Sequence, residues 1–162
     1  MRDELGRWQG ANMKTKDLRE IATPMLHVTL CFLGSQPLER IEALSEIVAA
    51  RGAPEEELAL GEPLWLPPRH PGVLAIGIED ESGALGELQA DVSAALQELG
   101  AYEPEKRPFM PHVTVARVRR GRRVRPQRLP APAPLPFTAP GLVLYRSHPG
   151  PGGARYEPLA AS

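Results

Sequence analysis

Two stretches of the chain carry apolar residues at helical spacing. Residues 38–50, "LERIEALSEIVAA", put Leu38, Ile41, Leu44, Ile47 and Val48 on one face, behind a Pro37 suited to opening a helix. Residues 82–99 repeat the pattern with Leu85, Leu88, Val92, Ala95, Leu96 and Leu99; Ser82 is the expected N-cap and Gly100 the stop. The polar stretch 3–10 reads as a first helix or an irregular start. Between and after the helices lie short strand-like runs at 26–33, 58–66, 72–79, 112–118, 141–146 and 154–159, bounded by Gly and Pro. Six prolines between Pro126 and Pro140 make that segment an extended connector rather than a helix or central strand. Short strands mixed with two long helices predict an α+β fold.

One run interrupts its own apolar pattern. In "MLHVTLCFLG", residues 25–34, a strand would place His27 and Thr29 on one face and Val28, Leu30 and Phe32 on the other. A lone histidine beside a sheet is ordinarily a hydrogen-bonded structural residue. A second copy changes that reading. Residues 109–115, "FMPHVTV", align with "PMLHVTL" at 24–30 through Met, His-Val-Thr and a branched aliphatic residue. The chain has only four histidines, and two of them sit in the same tripeptide 85 positions apart. The repeat suggests two similar halves, each contributing one strand to a shared cleft. By alternation, His112, Thr114 and Ala116 face one side and Val113 and Val115 the other.

Two imidazoles with unperturbed pKa values of about 6.5 can act as base and acid near neutral pH, one neutral and one protonated. Threonine hydroxyls on the same face can donate hydrogen bonds to phosphate oxygens. The set suits in-line displacement at phosphorus without a metal or cofactor, and a nearby arginine would fix the phosphate. A metal site is the competing reading of a histidine pair. The sequence offers no H-x-x-x-H, no carboxylate in either tripeptide and no cysteine cluster. Cys31, the single cysteine, has no orienting Asn or Asp in its context and reads as a small buried filler. His70 and His148 read as loop residues without chemistry.

Composition is that of an ordinary globular protein, 42% hydrophobic and 24% charged over 162 residues. No run approaches the roughly 20 apolar residues of a membrane helix, and the polar start is unlike a secretory signal. One cysteine excludes an intrachain disulfide; a cytoplasmic location is expected. The net charge of −1 conceals a division: residues 1–100 carry 8 basic and 17 acidic side chains, residues 101–162 carry 11 and 3. Six of those cations are the arginines of "RVRRGRRVR", residues 117–125, either a solvated surface or a patch for a polyanion.

The paired segments "HVTLCFLG" and "PHVTVARVR" resemble the H-x-T-x motifs of the 2H phosphoesterases, and within them the RNA 2′,3′-cyclic phosphodiesterases, also called 2′-5′ RNA ligases. The resemblance extends over most of the chain, including "RWQ" at 7–9 and the tail "LVLYRSHPGPGGARYEPL", which looks like the family's closing hairpin. It implies one bilobal α+β domain over residues 1–162, with two pseudo-symmetric antiparallel sheets forming a central cleft and helices outside. It implies hydrolysis of RNA 2′,3′-cyclic phosphate ends to 2′-phosphomonoesters, with weak reversible 2′-5′ ligation, by a protein expected to be a monomer. On this resemblance His27 is the acid and His112 the base, Thr29 and Thr114 bind phosphate, Arg117 holds it, and Phe32 stacks on the base. Simple alternation opposes Arg117 and Phe32, whose odd offset from the histidines needs a bend, bulge or strand end. The remaining arginines of the run would draw in the RNA backbone. The chain departs from the family at its start, where an apolar strand is expected before the "RW" helix, and at Cys31, where many relatives carry a basic residue. Two other readings stand beside this one: a phosphodiesterase of small cyclic nucleotides, tRNA-splicing by-products or 2′-5′ oligonucleotides, and a non-catalytic RNA-end binding module.

Overall fold

The computed structural model describes residues 1–150 and 153–162. Pro151 and Gly152, within the expected closing hairpin, lie outside the described residues. Among the described residues the fold is α+β, with three α-helices and two antiparallel sheets. The chain forms two compact units, each built from three separate stretches.

The first unit comprises Met1–Thr29, Glu57–Glu81 and Met110–Phe137. Its sheet uses β1 (Leu18–Glu20), β2 (Ala59–Leu66), β3 (Val73–Glu79) and β4 (His112–Val118), in the antiparallel order β1-β4-β3-β2. β3 and β4 form its centre, β3 being apolar from Val73 to Ile78 and β4 contributing Val113, Val115 and Ala116. Leu74, Ile76, Val113 and Ala116 are fully buried on one face. Helix α1 (Arg2–Asn12) buries Leu5 and Trp8 and resolves the ambiguous start of the chain as helix. The proline-rich connector is extended, as expected, and side chains hold it. The Trp8 indole donates to the Pro130 carbonyl at 2.8 Å, and the Trp65 indole to the Gln127 carbonyl at 2.9 Å. Phe137 then makes a backbone bridge to Leu58. A buried indole N–H needs such a partner, and a chain without regular structure supplies spare carbonyls.

The second unit comprises Leu30–Glu56, Ser82–Phe109 and Thr138–Ser162. It holds α2 (Ile41–Ala49), α3 (Ala84–Glu98) and the hairpin of β5 (Val143–His148) with β6 (Arg155–Ala161). Leu44 of α2 and Val92 and Leu96 of α3 form its core with Ala101, so the two helical faces read from the sequence meet each other. Helix α3 begins one residue later than the Ser82 cap implies. Gly83, at φ +78°, is the N-cap, and the Ser82 hydroxyl accepts the Ala84 N–H from one residue further out. Gly100, at φ +68°, ends the helix in the left-handed conformation that glycine adopts without strain.

Two strand readings change. The run 26–33 is not a strand; among the described residues its only ladder contact is an antiparallel bridge from Val28 to Val113. A 3₁₀ turn at Thr23–Met25, with Pro24 in its first turn, precedes that bridge and interrupts the edge. The three-residue strand β1 lies just upstream, too short and polar to announce itself by alternation. His148 ends β5 rather than sitting in a loop, and its Nε2 lies 2.7 Å from a Glu157 carboxylate oxygen.

Candidate active site

Strand β4 carries the second His-Val-Thr as regular sheet. Its register against β3 pairs His112 with Gly77, Val113 with Ile76 and Thr114 with Ala75, then skips Val115 to pair Ala116 with Leu74 and Arg117 with Val73. Val115 is thus the extra residue of a β-bulge. Val73, Ala75 and Gly77 alternate along one face of β3, so His112, Thr114 and Arg117 share that face. The bulge supplies the change of parity that uninterrupted alternation denied Arg117. It also corrects the placement of Ala116, which turns to the core opposite Leu74 and is fully buried.

The first His-Val-Thr lies against the opposite edge of β4. The bridge between Val28 and Val113, carried one residue to either side, sets His27 against Thr114 and Thr29 against His112. In that register each histidine stands across from the threonine of the other copy. Both tripeptides belong to the first unit, although they come from opposite halves of the sequence. The four polar residues fall on one face, and Val28 and Val113 on the other.

The two histidines are anchored alike. His27 Nδ1 lies 2.7 Å from the Met25 carbonyl oxygen, and His112 Nδ1 lies 2.7 Å from the Met110 carbonyl oxygen. A carbonyl only accepts, so Nδ1 is the donor in both rings and Nε2 is left for other partners. Both rings are half-buried, Thr114 is half-buried, and Thr29 and Arg117 are exposed. Among the described residues no carboxylate pairs with Arg117.

Register adds a residue that lies in neither motif. Arg19 of β1 stands directly opposite Arg117, on the same face, and only the pairing of β1 with β4 reveals it. Two arginines of the basic run have structural contacts: Arg119 donates to the Leu18 carbonyl at 3.2 Å, and Arg122 lies 3.6 Å from Asp17. Arg120, Arg123 and Arg125 are exposed.

Phe32 and Cys31 belong to the second unit. Phe32 is 76% exposed, so it does not pack as core, and it lies outside any strand. Cys31 packs beside the core of Leu44, Val92 and Leu96 and receives a 3.9 Å hydrogen bond from Gln89. Burial raises the thiol above its ordinary pKa, outweighing the Gln89 bond, which favours the thiolate. Both observations fit a filler rather than a nucleophile. His70 is an exposed loop residue. Among the described residues no group of three or more His, Cys, Asp or Glu could hold a metal ion, and no helix is long and apolar enough to cross a membrane.

A family model described as the 2′-5′ RNA ligase superfamily matches residues 2–151. An RNA 2′,3′-cyclic phosphodiesterase of Geobacillus stearothermophilus is 35% identical over 142 residues, 83% of this chain. The chain spans only 44% of that relative's length. An Escherichia coli protein of the same name is 27% identical over 98% of this chain and 87% of its own length. Among solved structures, one from Thermus thermophilus superimposes with a TM-score of 0.82 at 26% identity, covering 99% of this chain and 89% of that one. Escherichia coli LigT complexed with 3′-AMP gives 0.80 at 26% identity, over 99% of this chain and 89% of its own.

Proposed function

The chain belongs to the 2′-5′ RNA ligase superfamily, and on that premise we propose that it hydrolyses 2′,3′-cyclic phosphate ends of RNA to 2′-phosphomonoesters without a metal, using His27 and His112 as an acid–base pair. The observation that carries the reading is the matched anchoring of the two imidazoles on either side of the Val28–Val113 bridge. Binding a phosphate does not require two titratable rings held in the same tautomer; moving two protons does.

The reaction takes one proton from water and gives one to the departing oxygen. The neutral histidine accepts the water proton at Nε2 as the oxygen attacks phosphorus, and the protonated one donates from Nε2 to the 3′ oxygen as the P–O bond breaks. The 2′ ester bond stays intact, which leaves the 2′-phosphomonoester. Following the family resemblance, His112 is the base and His27 the acid. With a 5′-hydroxyl in place of water as the nucleophile, the same two transfers in the same direction accompany 2′-5′ joining, and their reversal re-forms the cyclic phosphate. Thr29 and Thr114 donate hydrogen bonds to the non-bridging oxygens, and Arg117 compensates the charge that grows on them. Exposed Phe32 stacks on a base, with tolerance for base identity. Arg120, Arg123 and Arg125 attract the remaining RNA backbone, which makes affinity fall as salt rises.

The names of the two phosphodiesterase relatives support the activity, and the 3′-AMP complex of LigT shows that one structural relative accommodates a mononucleotide. The test is hydrolysis in EDTA of a short RNA ending in a 2′,3′-cyclic phosphate beside the matching cyclic mononucleotide. Preferred turnover of the RNA to a 2′-phosphate supports the proposal. A 3′-phosphate product overturns the assigned leaving group, and preference for the mononucleotide transfers the site to small cyclic nucleotides. Binding without turnover by the folded protein makes it an RNA-end binding module.

A further inference from the structure

We infer that Gln9 is a positioning residue: by holding the bulge at Val115 it keeps Arg117 on the face of His112 and Thr114. The inference rests on the reading of Arg117 as a phosphate ligand. Gln9 sits in α1, is only 3% exposed, and has no contact with the candidate site residues among its hydrogen bonds. Its side-chain amide instead donates to two main-chain carbonyls, Ile21 at 2.9 Å and Val115 at 2.8 Å. The acceptor Val115 is the residue that β4 skips in its register with β3. The same Val115 carbonyl also accepts the Ile21 N–H at 2.9 Å.

These contacts form a closed device. A bulge disrupts the local ladder, and a buried polar group left short of partners is costly. The Val115 carbonyl has two lone pairs; Ile21 satisfies one and Gln9 the other. Gln9 spends its second N–H on Ile21, the residue where the β1 edge leaves β4 for the 3₁₀ turn that leads to His27. One amide therefore ties together the residue that turns Arg117 onto the site face and the residue from which the first motif departs. Without the bulge, the regular register would direct Arg117 to the core side and the pair Val115–Ala116 would split between faces. A glutamine is suited to this place because two N–H donors on one nitrogen reach two carbonyls without bringing a charge into the interior.

The test is a double-mutant cycle of Gln9→Met with Arg117→Ala, read as the dissociation constant for adenosine 2′-monophosphate and, in parallel, as cross-strand NMR contacts of β4. Methionine keeps the length and volume of glutamine and removes both donors. We expect Gln9→Met to weaken binding by roughly tenfold alone and by less than about twofold when Arg117 is already alanine, because neighbours acting through one another are not additive. The contacts Thr114–Ala75 and Ala116–Leu74, which define the skipped residue, should shift in the variant. Gln9→Glu, which keeps one donor when protonated, serves as the second variant if Gln9→Met does not fold, and should recover binding relative to the intact protein as pH falls. Equal losses in both backgrounds, or an unchanged register with unchanged affinity, would overturn the inference. If the intact protein does not bind the nucleotide, the phosphate-site reading fails; the register contacts then still decide whether Gln9 sets the bulge.

Discussion

The two His-Val-Thr segments share a sequence and differ in backbone. The copy at 112–114 lies within a strand paired along β3, with Val113 fully buried. The copy at 27–29 follows a 3₁₀ turn, touches the sheet through one bridge at Val28, and leaves Thr29 exposed. Yet the imidazoles are held identically, each by the carbonyl two residues upstream at 2.7 Å. What the chain repeats is a local anchor for a ring, and the strand is only one way to present it. The difference also assigns labour. β4 presents its copy on a fully paired strand with Arg117 brought to the same face by a bulge, while the edge segment meets β4 at Val28 and is also tied to α1 through the Arg2 bond to the Leu26 carbonyl.

Removing either ring gives the largest expected effect. His27→Ala and His112→Ala should each lower turnover of a cyclic-phosphate RNA by about 10²–10⁴-fold, the range of a lost general acid or base. Circular dichroism melts should show both variants folded, since neither ring lies in the buried core. Next comes Arg117→Ala, expected to cost about 10–100-fold in kcat/KM, the equivalent of a charge-assisted hydrogen bond to phosphate. Arg117→Lys should recover only part of it, because a point charge does not replace a planar fork. Steady-state kinetics at fixed ionic strength measures both.

A smaller effect sharpens the comparison further. Thr114→Val should lower kcat/KM by about 3–10-fold, the cost of one hydrogen bond. If the copies cross as the bridge places them, this substitution shifts the NMR signals of the His27 ring more than those of His112, its neighbour in sequence. The reverse ordering would mean that each copy works on its own. The smallest effect is at Cys31. Because burial raises the thiol pKa, the sulfur is more protonated at a given pH than an ordinary thiol. Its alkylation by iodoacetamide should therefore be slower than that of a free cysteine at pH 8 and accelerate with rising pH beyond the usual range, and Cys31→Ser should leave turnover within about twofold.

The candidate site residues were legible in the sequence earlier than the shape that holds them. His27, Thr29, His112 and Thr114 stand out because a repeated polar tripeptide inside apolar runs is improbable by composition. Helices α2 and α3 follow from their spacing, and the connector from its prolines. Three features were beyond local pattern. The bulge at Val115 is a relation between two strands, so Arg117 and Ala116 could not be assigned to faces from β4 alone. Strand β1 has three residues, too few to display a period, and Arg19 came into view only with its register. The run 26–33 has the composition of a strand, but Pro24 and the turn it opens leave a single bridge. The shared Met25 and Met110 were visible as part of the repeat, while their part, a main-chain carbonyl, belongs to no residue type and carries no sequence signal.

The most direct measurement is single-turnover hydrolysis, in EDTA, of an RNA ending in a 2′,3′-cyclic phosphate by the intact protein, His27→Ala, His112→Ala and the double variant. Groups that act as one unit lose nearly everything with the first removal. The account predicts that each single variant falls about as far as the double. A single variant that retains more than about a tenth of the intact rate would contradict the paired mechanism, because the remaining histidine would then be doing the chemistry without its partner.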